Sequence, residues 1–210
     1  MIRKNLKSII ITSVVILLPI IFGLSLWNEL PEKIATHWGA DGNADGWSSK
    51  PFAVFFMPLI LLAVHWVCVL ATSLDPKKQN VEGKPLKLVL WITPIISLFL
   101  GVMMYGQFIG NGLNVAFISI LFFGVFFIVI GSLLPKCKQN YTVGIKLPWT
   151  LDNEENWNMT HRFAGKVWMI GGAALVLISP FKNFILFFIL VTLMMAIPIV
   201  YSYLHHKKQK

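Results

Sequence analysis

Charged residues are scarce in this 210-residue chain, at 13% of the total. An ordinary soluble domain carries about a quarter, so a water-soluble globular domain is excluded. A disordered chain is excluded as well, because disorder requires low hydrophobicity and high charge, whereas 56% of these residues are hydrophobic. The two cysteines are too few to build a disulfide framework.

The scarcity of charge leaves long apolar runs. The run Leu88–Pro135 contains 48 residues without a charged side chain, enough for two helices of about 20 residues that cross a bilayer. A turn is predicted between them at Gly110-Asn111-Gly112-Leu113-Asn114. With the other runs, the sequence predicts six membrane-spanning helices, over residues 8–27, 51–72, 88–109, 113–134, 163–180 and 183–204. The fifth reaches spanning length only if Lys166 extends its ammonium to the membrane surface.

The basic residues predict how these helices are oriented. If the N-terminus lies inside the cell, 15 of the 18 Lys and Arg residues fall on the inner side, in accord with the positive-inside rule. The three outer ones are Lys33, Lys50 and Lys182. We therefore expect an all-α polytopic membrane protein with six transmembrane helices and both termini in the cytoplasm. The net charge of +9 is assigned to orientation and to anionic lipid headgroups rather than to nucleic acid.

Two connections are longer than a helical bundle requires, and function is expected there. The outer loop covers residues 28–50 and the cytoplasmic segment covers residues 136–162. We predict an N-terminal two-helix hairpin at 1–75, which carries the outer loop, and a four-helix region at 76–210, which carries the cytoplasmic segment.

The outer loop is rich in Gly and Asp, which favour turns. Its segment Asp41-x-Asn43-x-Asp45-Gly46 matches the first half of an EF-hand calcium loop, but the twelfth position is Phe52 instead of a bidentate Glu. Two interpretations follow, a calcium site or a plain pair of turns. The candidate ligand-facing residues of the loop are His37, Trp38, Asp41, Asp45, Trp47 and Lys50.

The cytoplasmic segment predicts a short surface helix over residues 153–162, begun by the capping-box-like pair Asp152 and Glu155. On this helix Trp157 and His161 are four residues apart and share a face. Two interpretations of this pair are open, a working site or an aromatic belt at the membrane surface.

His65 and Cys68 share a face of the second predicted span. A metal site there would need a further ligand, so a neutral His65 bonded to a neighbouring helix is the favoured interpretation.

Both long connections resemble parts of a known family. The outer loop contains Leu30-Pro31-x-x-Ile34-x-x-His37-Trp38 and Asp45-Gly46-Trp47-x-Ser49-Lys50. It resembles a membrane domain of unknown function that often precedes the SdpI-type immunity signature. The cytoplasmic segment resembles that signature in Asn140-Tyr141-x-Val143-Gly144-Ile145-Lys146-x-Pro148-Trp149-Thr150 and in Trp157-x-x-Thr160-His161-Arg162-Phe163-Ala164-Gly165-Lys166. One departure is Lys146-Leu147, where the family more often has Arg-Thr; Lys lacks the bidentate fork of Arg.

The resemblance implies a multi-pass protein of the bacterial plasma membrane that protects its cell against a secreted toxic peptide. It also implies that such a protein can hold a transcriptional repressor at the membrane. We expect the cytoplasmic segment to dock that repressor, and we expect no cofactor and no metal. The candidate docking residues are Asn140, Tyr141, Gly144, Lys146, Pro148, Trp149, Thr150, Trp157, Thr160, His161 and Arg162.

An alternative is a small transporter or exporter. Such proteins usually carry ionisable groups at mid-membrane, and no Asp, Glu, Lys or Arg lies deep in a predicted span. An enzyme is disfavoured, since the chain has no H-E-x-x-H or G-x-S-x-G motif.

Overall fold

The computed structural model describes residues 1–39, 41–109 and 113–208. Most of these residues are helical. Residues 110–112, in the predicted turn after the third span, and residues 209–210 lie outside the described part. In chain order the elements are α1 (Ile2–Ser25), β1 (Lys33–Trp38), β2 (Ala44–Ser49), α2 (Met57–Leu74), α3 (Lys84–Tyr105), α4 (Val115–Leu133), α5 (Pro148–Asp152), α6 (Glu154–Ile178) and α7 (Phe184–Lys208).

The prediction of six long apolar helices is confirmed. Within the described residues, six helical stretches have the length and composition to cross a membrane: Ile2–Ser25, Phe52–Leu74, Lys84–Phe108, Val115–Lys136, Glu154–Phe181 and Phe184–Lys208. Most of them begin or end a few residues beyond the predicted limits, and several include flanking Lys or Arg residues. The side on which the termini lie stays a prediction from charge.

The chain divides into two compact units. The first contains Met1–Ser73 and Lys87–Val115, and the second contains Leu74–Leu86 and Ala116–Lys210. The predicted domain limits, 1–75 and 76–210, stay a prediction.

In the first unit, polar side chains connect apolar helices. The ring Nε2 of His65 on α2 lies 3.1 Å from the Thr12 hydroxyl on α1, so the prediction that His65 bonds to a neighbouring helix is confirmed. The Ser97 hydroxyl on α3 donates to the Ile16 carbonyl of α1 at 2.8 Å. Such bonds are favoured where no water is present to satisfy polar groups.

In the second unit, glycines bring α4 and α6 into close contact. A Cβ added to Gly124 would lie 2.9 Å from the Gly172 carbonyl oxygen, and one added to Gly131 would lie 2.9 Å from the Gly165 carbonyl oxygen. The two glycines on each helix are seven residues apart, which is two turns, so they share a face. Small residues at this spacing allow the two backbones to touch.

The outer loop contains an antiparallel hairpin, which the sequence patterns did not predict. Strands β1 and β2 pair with Lys33 opposite Ser49 and Ala35 opposite Trp47. The stretch from Ile34 to Trp38 contains β-branched and aromatic residues that fit a pleated surface. The fold is therefore helical with one added two-stranded sheet.

The predicted short helix at 153–162 and the predicted fifth span form one uninterrupted helix, α6. The prediction of a separate surface helix was wrong, because no Gly or Pro interrupts the chain between Glu154 and Ala164. The predicted start was wrong as well. Asp152 ends α5, and Asn153 caps α6 by accepting a hydrogen bond from the backbone N–H of Asn156 at 2.8 Å.

Candidate functional site

One face of the hairpin presents polar and aromatic side chains to the surroundings. The His37 Nδ1 lies 2.5 Å from an Asp45 carboxylate oxygen, and both side chains are mostly exposed. Trp47, the next outward residue of β2, is 56% exposed. His37, Asp45 and Trp47 thus form an accessible patch, which we call the hairpin patch.

The turn between the strands uses Asp41 internally. Its carboxylate accepts hydrogen bonds from the backbone N–H of Asn43 at 3.0 Å and from the Asn43 side-chain amide at 2.8 Å. The side-chain bond is the main reason that the pKa of Asp41 lies below its ordinary value, and the backbone bond contributes next. Gly42 follows at φ +80°, a left-handed conformation that favours glycine. Within residues 1–39, 41–109 and 113–208, no group of three or more His, Cys, Asp or Glu side chains could hold a metal ion.

Two of the six predicted ligand-facing residues of the outer loop instead face the protein. Lys50 is 8% exposed, and its ammonium donates to the carbonyl oxygens of Leu30 at 2.9 Å and Trp27 at 3.3 Å. Trp38 packs against the buried cluster beneath the hairpin. These side chains hold the hairpin against the helices rather than present it to a ligand.

The signature segment, residues 136–162, begins with a tight turn built by Asn140. This fully buried side chain accepts from the backbone N–H groups of Thr142 at 2.8 Å and Val143 at 2.7 Å. Its amide donates to the carbonyl oxygens of Lys138 at 2.7 Å and Val143 at 3.0 Å. All four hydrogen-bonding positions of the Asn side chain are therefore used within the turn.

A second contact fastens this turn to the connection between α2 and α3. The carboxylate of Asp75, only 4% exposed, accepts from the Tyr141 N–H at 2.9 Å and the Thr142 hydroxyl at 2.7 Å. The Lys77 ammonium donates to the Gln139 side-chain carbonyl. Segments that are about 60 residues apart in sequence are thus joined by buried polar bonds.

Gln139 and Thr150 link the turn to α5. The Gln139 amide donates to the carbonyl oxygens of Thr150 at 2.9 Å and Leu151 at 2.8 Å. The Thr150 hydroxyl accepts from the Leu147 N–H at 2.9 Å, and Pro148 occupies the first turn of α5. Leu147 before Pro148 is extended, with a ψ of 153°, because the proline ring disfavours the helical conformation of the residue that precedes it.

His161 and Trp157 form the buried centre of the segment. The two residues share a face of α6, as their four-residue spacing predicted, and their rings stack with centroids 4.0 Å apart. The His161 Nδ1 lies 2.7 Å from the Trp157 carbonyl, and its Nε2 accepts from the Ile145 N–H at 2.9 Å. These partners require a neutral ring with the proton on Nδ1. The Trp157 and His161 residues are 0% and 1% exposed, so they do not form a belt at the membrane surface.

Gly144 lies directly against these rings. Its φ is +130°, and a Cβ there would overlap the His161 Nε2 and lie 2.9 Å from two ring carbons of Trp157. Only glycine fits this position. The Trp157 indole N–H donates to the Cys137 carbonyl at 2.7 Å, and burial raises the pKa of the Cys137 thiol to about 11.

Trp149, on α5, contacts side chains of α7. Its indole N–H donates to the Ser202 hydroxyl at 2.9 Å, and its ring stacks on His206 with centroids 5.9 Å apart. The Ser202 hydroxyl donates to the Asn156 side-chain carbonyl at 2.8 Å, which also accepts from the Thr160 hydroxyl at 3.0 Å. Trp149 therefore contacts residues of α7, whereas Trp157 and His161 stack on each other.

Four predicted signature residues are exposed. Tyr141, Lys146, Pro148 and Arg162 lie at the surface, whereas Asn140, Thr150, Trp157, Thr160 and His161 are buried. The motif therefore contains residues that lie at the surface and buried residues whose hydrogen bonds shape that surface.

Four residues that organise the segment were not predicted from the sequence. Asp75 and Ser202 lie far from the signature segment in sequence, whereas Gln139 and Asn156 lie inside it. A usable signal existed for Asp75, which is an acidic residue among the basic residues of its connection. Nothing in the sequence singled out Ser202.

Comparison with known proteins finds two family models that match separate parts of the chain. The SdpI/YfhL protein family matches residues 136–202, and a domain of unknown function (DUF1648) matches residues 14–62. The immunity protein SdpI of Bacillus subtilis (strain 168) is 28% identical over 213 residues, which cover 98% of this chain and 97% of that protein. No solved structure matches the chain.

The family predicted from the two motifs is thus confirmed. The six candidate spans indicate a multi-pass membrane protein, and the bacterial relative suggests the plasma membrane. Residues 136–202 match the SdpI/YfhL family, residues 14–62 match the preceding domain of unknown function, and the chain as a whole is a distant full-length homologue of the immunity protein SdpI.

Proposed function

We propose that this chain is an integral membrane immunity protein that protects its cell against a secreted toxic peptide. The observation that carries the proposal is the similarity to an immunity protein over almost the whole of both chains. A protein of this kind acts by binding, which favours a non-enzymatic role.

The hairpin patch is the proposed toxin-facing surface. The charge distribution favours a hairpin outside the cell, and Trp47 offers an exposed indole beside the polar pair His37 and Asp45. Exposed aromatic residues commonly anchor protein interfaces. Asp41 belongs to the turn, and Trp38 and Lys50 support the patch from beneath.

The exposed residues of the signature segment are the proposed docking surface for a cytoplasmic transcriptional repressor. Tyr141, Lys146, Pro148 and Arg162 lie at the surface, and the buried residues position them. The long basic side chains fit an acidic patch on a protein partner, and no direct nucleic-acid contact is proposed.

Survival of a sensitive bacterium tests the proposal. The chain is expressed alone in a related toxin-sensitive strain, which is challenged with the peptide toxin of a neighbouring producer. We expect protection by the unaltered chain, and loss of protection with Trp47→Ala at an unchanged membrane level. Leu74→Ala is the matched control, since Leu74 is 80% exposed and ends α2 rather than belonging to the hairpin. No protection from well-inserted protein would contradict the proposal.

A reporter of repressor activity separates the two surfaces. Arg162→Ala is expected to abolish reporter induction while protection persists. Asn140→Ala is expected to impair both, because it removes the four bonds of the turn. Normal induction by Arg162→Ala together with Tyr141→Ala would contradict the assignment of the docking surface.

The second candidate is a transporter or exporter of a peptide or small molecule. The observation in its favour is the buried His65, whose Nδ1 has no hydrogen-bond partner among the described residues. If the chain exports toxin, cells that express it will accumulate less labelled toxin, and His65→Ala will restore accumulation. An immunity protein that acts by binding will retain toxin at the membrane instead.

A further inference from the structure

The hairpin of the first unit has two edges. Its sheet contains only β1 and β2, which pair with each other, so each strand has one side without a neighbouring strand in the described part of the chain. Backbone N–H and C=O groups along such a side are unpaired and form a template for an added strand. The register of the hairpin decides which residues present these groups.

The register assigns the outward backbone groups of β2 to Trp47 and Ser49. The Lys50 N–H donates to the Glu32 carbonyl at 2.9 Å, so these two residues form a hydrogen-bonded pair. Along an antiparallel ladder, hydrogen-bonded pairs alternate with pairs whose N–H and C=O groups point away from the partner strand. Ser49 and Trp47 lie one and three residues before Lys50, with no register shift between them, so their backbone groups point away from β1.

These outward groups have the spacing that an extended peptide matches. Trp47 and Ser49 are both exposed, and no turn or loop among residues 1–39, 41–109 and 113–208 donates a backbone hydrogen bond to either of them or accepts one from them. Together they offer two N–H donors and two C=O acceptors, and the two residues are about 7 Å apart along the strand. Alternate residues of a neighbouring strand present the complementary groups at the same interval.

The two edges differ in the residues that discourage strand pairing. The edge of β1 follows Pro31 and contains the exposed Lys33, and proline and lysine are residues that natural proteins place on edges to prevent pairing. Residues 46–49 of β2 include neither a proline nor a charged side chain, and Lys50 after them is buried. The edge of β2 is therefore the open one.

We propose that the edge of β2 binds an extended segment of the peptide toxin as a third strand, an inference that rests on the proposed immunity function. The outward groups of Trp47 and Ser49 pair with backbone groups of the toxin segment. The edge adjoins the hairpin patch through Trp47, whose exposed indole lies beside a side chain of the added strand. Aromatic cross-strand pairs are favourable, so an apolar or aromatic toxin residue is expected at that position.

A helical toxin segment does not satisfy this edge. The N–H and C=O groups within an α-helix bond to each other, so a helix has none to offer to Trp47 and Ser49. An extended segment at the membrane surface, by contrast, has its own backbone groups to satisfy. A two-stranded sheet is also marginally stable by itself and gains from a third strand. A second copy of this chain, paired edge to edge, is the competing occupant that the test must distinguish.

Hydrogen exchange of backbone amides measures the edge directly. The full chain is reconstituted in nanodiscs of phosphatidylglycerol and phosphatidylethanolamine, and exchange is followed residue by residue with and without the purified peptide toxin of the survival test. We expect the N–H groups of Trp47 and Ser49 to exchange rapidly in the chain alone, and about tenfold more slowly with toxin. The N–H of Lys33, on the opposite edge, should not slow.

A proline on the open edge tests the same bonds by substitution. Ser49→Pro removes an outward N–H but no bond to β1, because the Ser49 N–H points away from that strand. Toxin affinity should fall about tenfold, as expected for one lost hydrogen bond and the obstruction by the ring. Ser49→Ala is the matched control, since it removes the side chain and keeps the N–H, and Lys33→Pro places a proline on the opposite edge. Both should bind toxin normally.

The exchange measurement on the unaltered chain decides the proposal even if Ser49→Pro does not fold. Toxin binding without slower exchange at Trp47 and Ser49 would overturn the added strand while leaving the immunity function intact. No toxin binding by the folded chain would contradict the immunity function itself. Slow exchange at the same two residues without toxin, increasing with protein concentration, would identify a second copy as the occupant and overturn the proposal. Equal losses of affinity in Ser49→Pro and Ser49→Ala would overturn it as well.

Discussion

Replacement of Gly144 by alanine is expected to destabilise the signature segment severely. The backbone at Gly144 has φ +130°, and the new methyl would overlap the His161 Nε2. The ring cannot easily move, since it stacks on Trp157 at 4.0 Å and bonds to the Trp157 carbonyl at 2.7 Å. The Ile145 N–H would then lose its acceptor.

Two contributions make up the expected loss of folding free energy. A residue forced into a glycine-only conformation costs about 1–3 kcal/mol, and the lost hydrogen bond contributes about 1 kcal/mol. A total of about 2–4 kcal/mol corresponds to a melting temperature lower by about 4–16 °C for a chain of this size. Thermal denaturation of the purified protein in mild detergent, followed by tryptophan fluorescence, measures this shift.

Gly83→Ala is the control that separates backbone strain from the clash. Gly83 also has a positive φ, +84°, but no atom lies within 4 Å of the position that a Cβ would take there. Its substitution should lower the melting temperature by less than half as much. Equal shifts for the two variants would refute the argument that contact with His161 and Trp157 requires glycine. The double variant Gly144→Ala with His161→Ala should lose less stability than the sum of the single variants.

Three further predictions concern other contacts. Asp75→Ala should accelerate proteolysis within residues 138–146, because it removes the acceptor of the Tyr141 N–H and the Thr142 hydroxyl. Asp152→Ala, at an exposed position, should not. Gly172→Leu should lower the melting temperature by several degrees, since any Cβ meets the facing backbone at 2.6 Å. In a Cys68→Ala background, the Cys137 thiol should resist maleimide at pH 8 until SDS is added. Because burial raises the pKa of the Cys137 thiol, the contribution of this thiol to stability is present below pH 9.0 and is lost as the pH rises towards about 11. Rapid labelling of the folded protein at pH 8 would contradict this prediction.

Local patterns in the sequence predicted well what depends on neighbours along the chain. Six spans followed from apolar runs, and the shared helix face of Trp157 and His161 followed from their spacing on a helix. Each rests on steric or periodic rules that act over a few residues.

Features that depend on distant partners were not predicted. Asp75 bonds to residues more than 60 positions away, and Gly124 and Gly172 define an interface only once the two helices are paired. The hairpin was missed for a different reason. Its Gly and Asp residues are turn formers, which indicate the turn but not the short β-prone stretch before it.

The signature motif combines two kinds of residue that a sequence cannot separate. Buried members such as Asn140 and His161 have all their polar groups satisfied by the protein, so they have no free bond to offer a partner. Exposed members such as Tyr141 and Arg162 lie at the surface that those bonds shape. Substitution of a buried member is therefore expected to disturb every activity of the segment together, through loss of shape. Only substitutions at the exposed members can separate the proposed protection from the proposed signalling, and they are the informative places for residue-by-residue mapping.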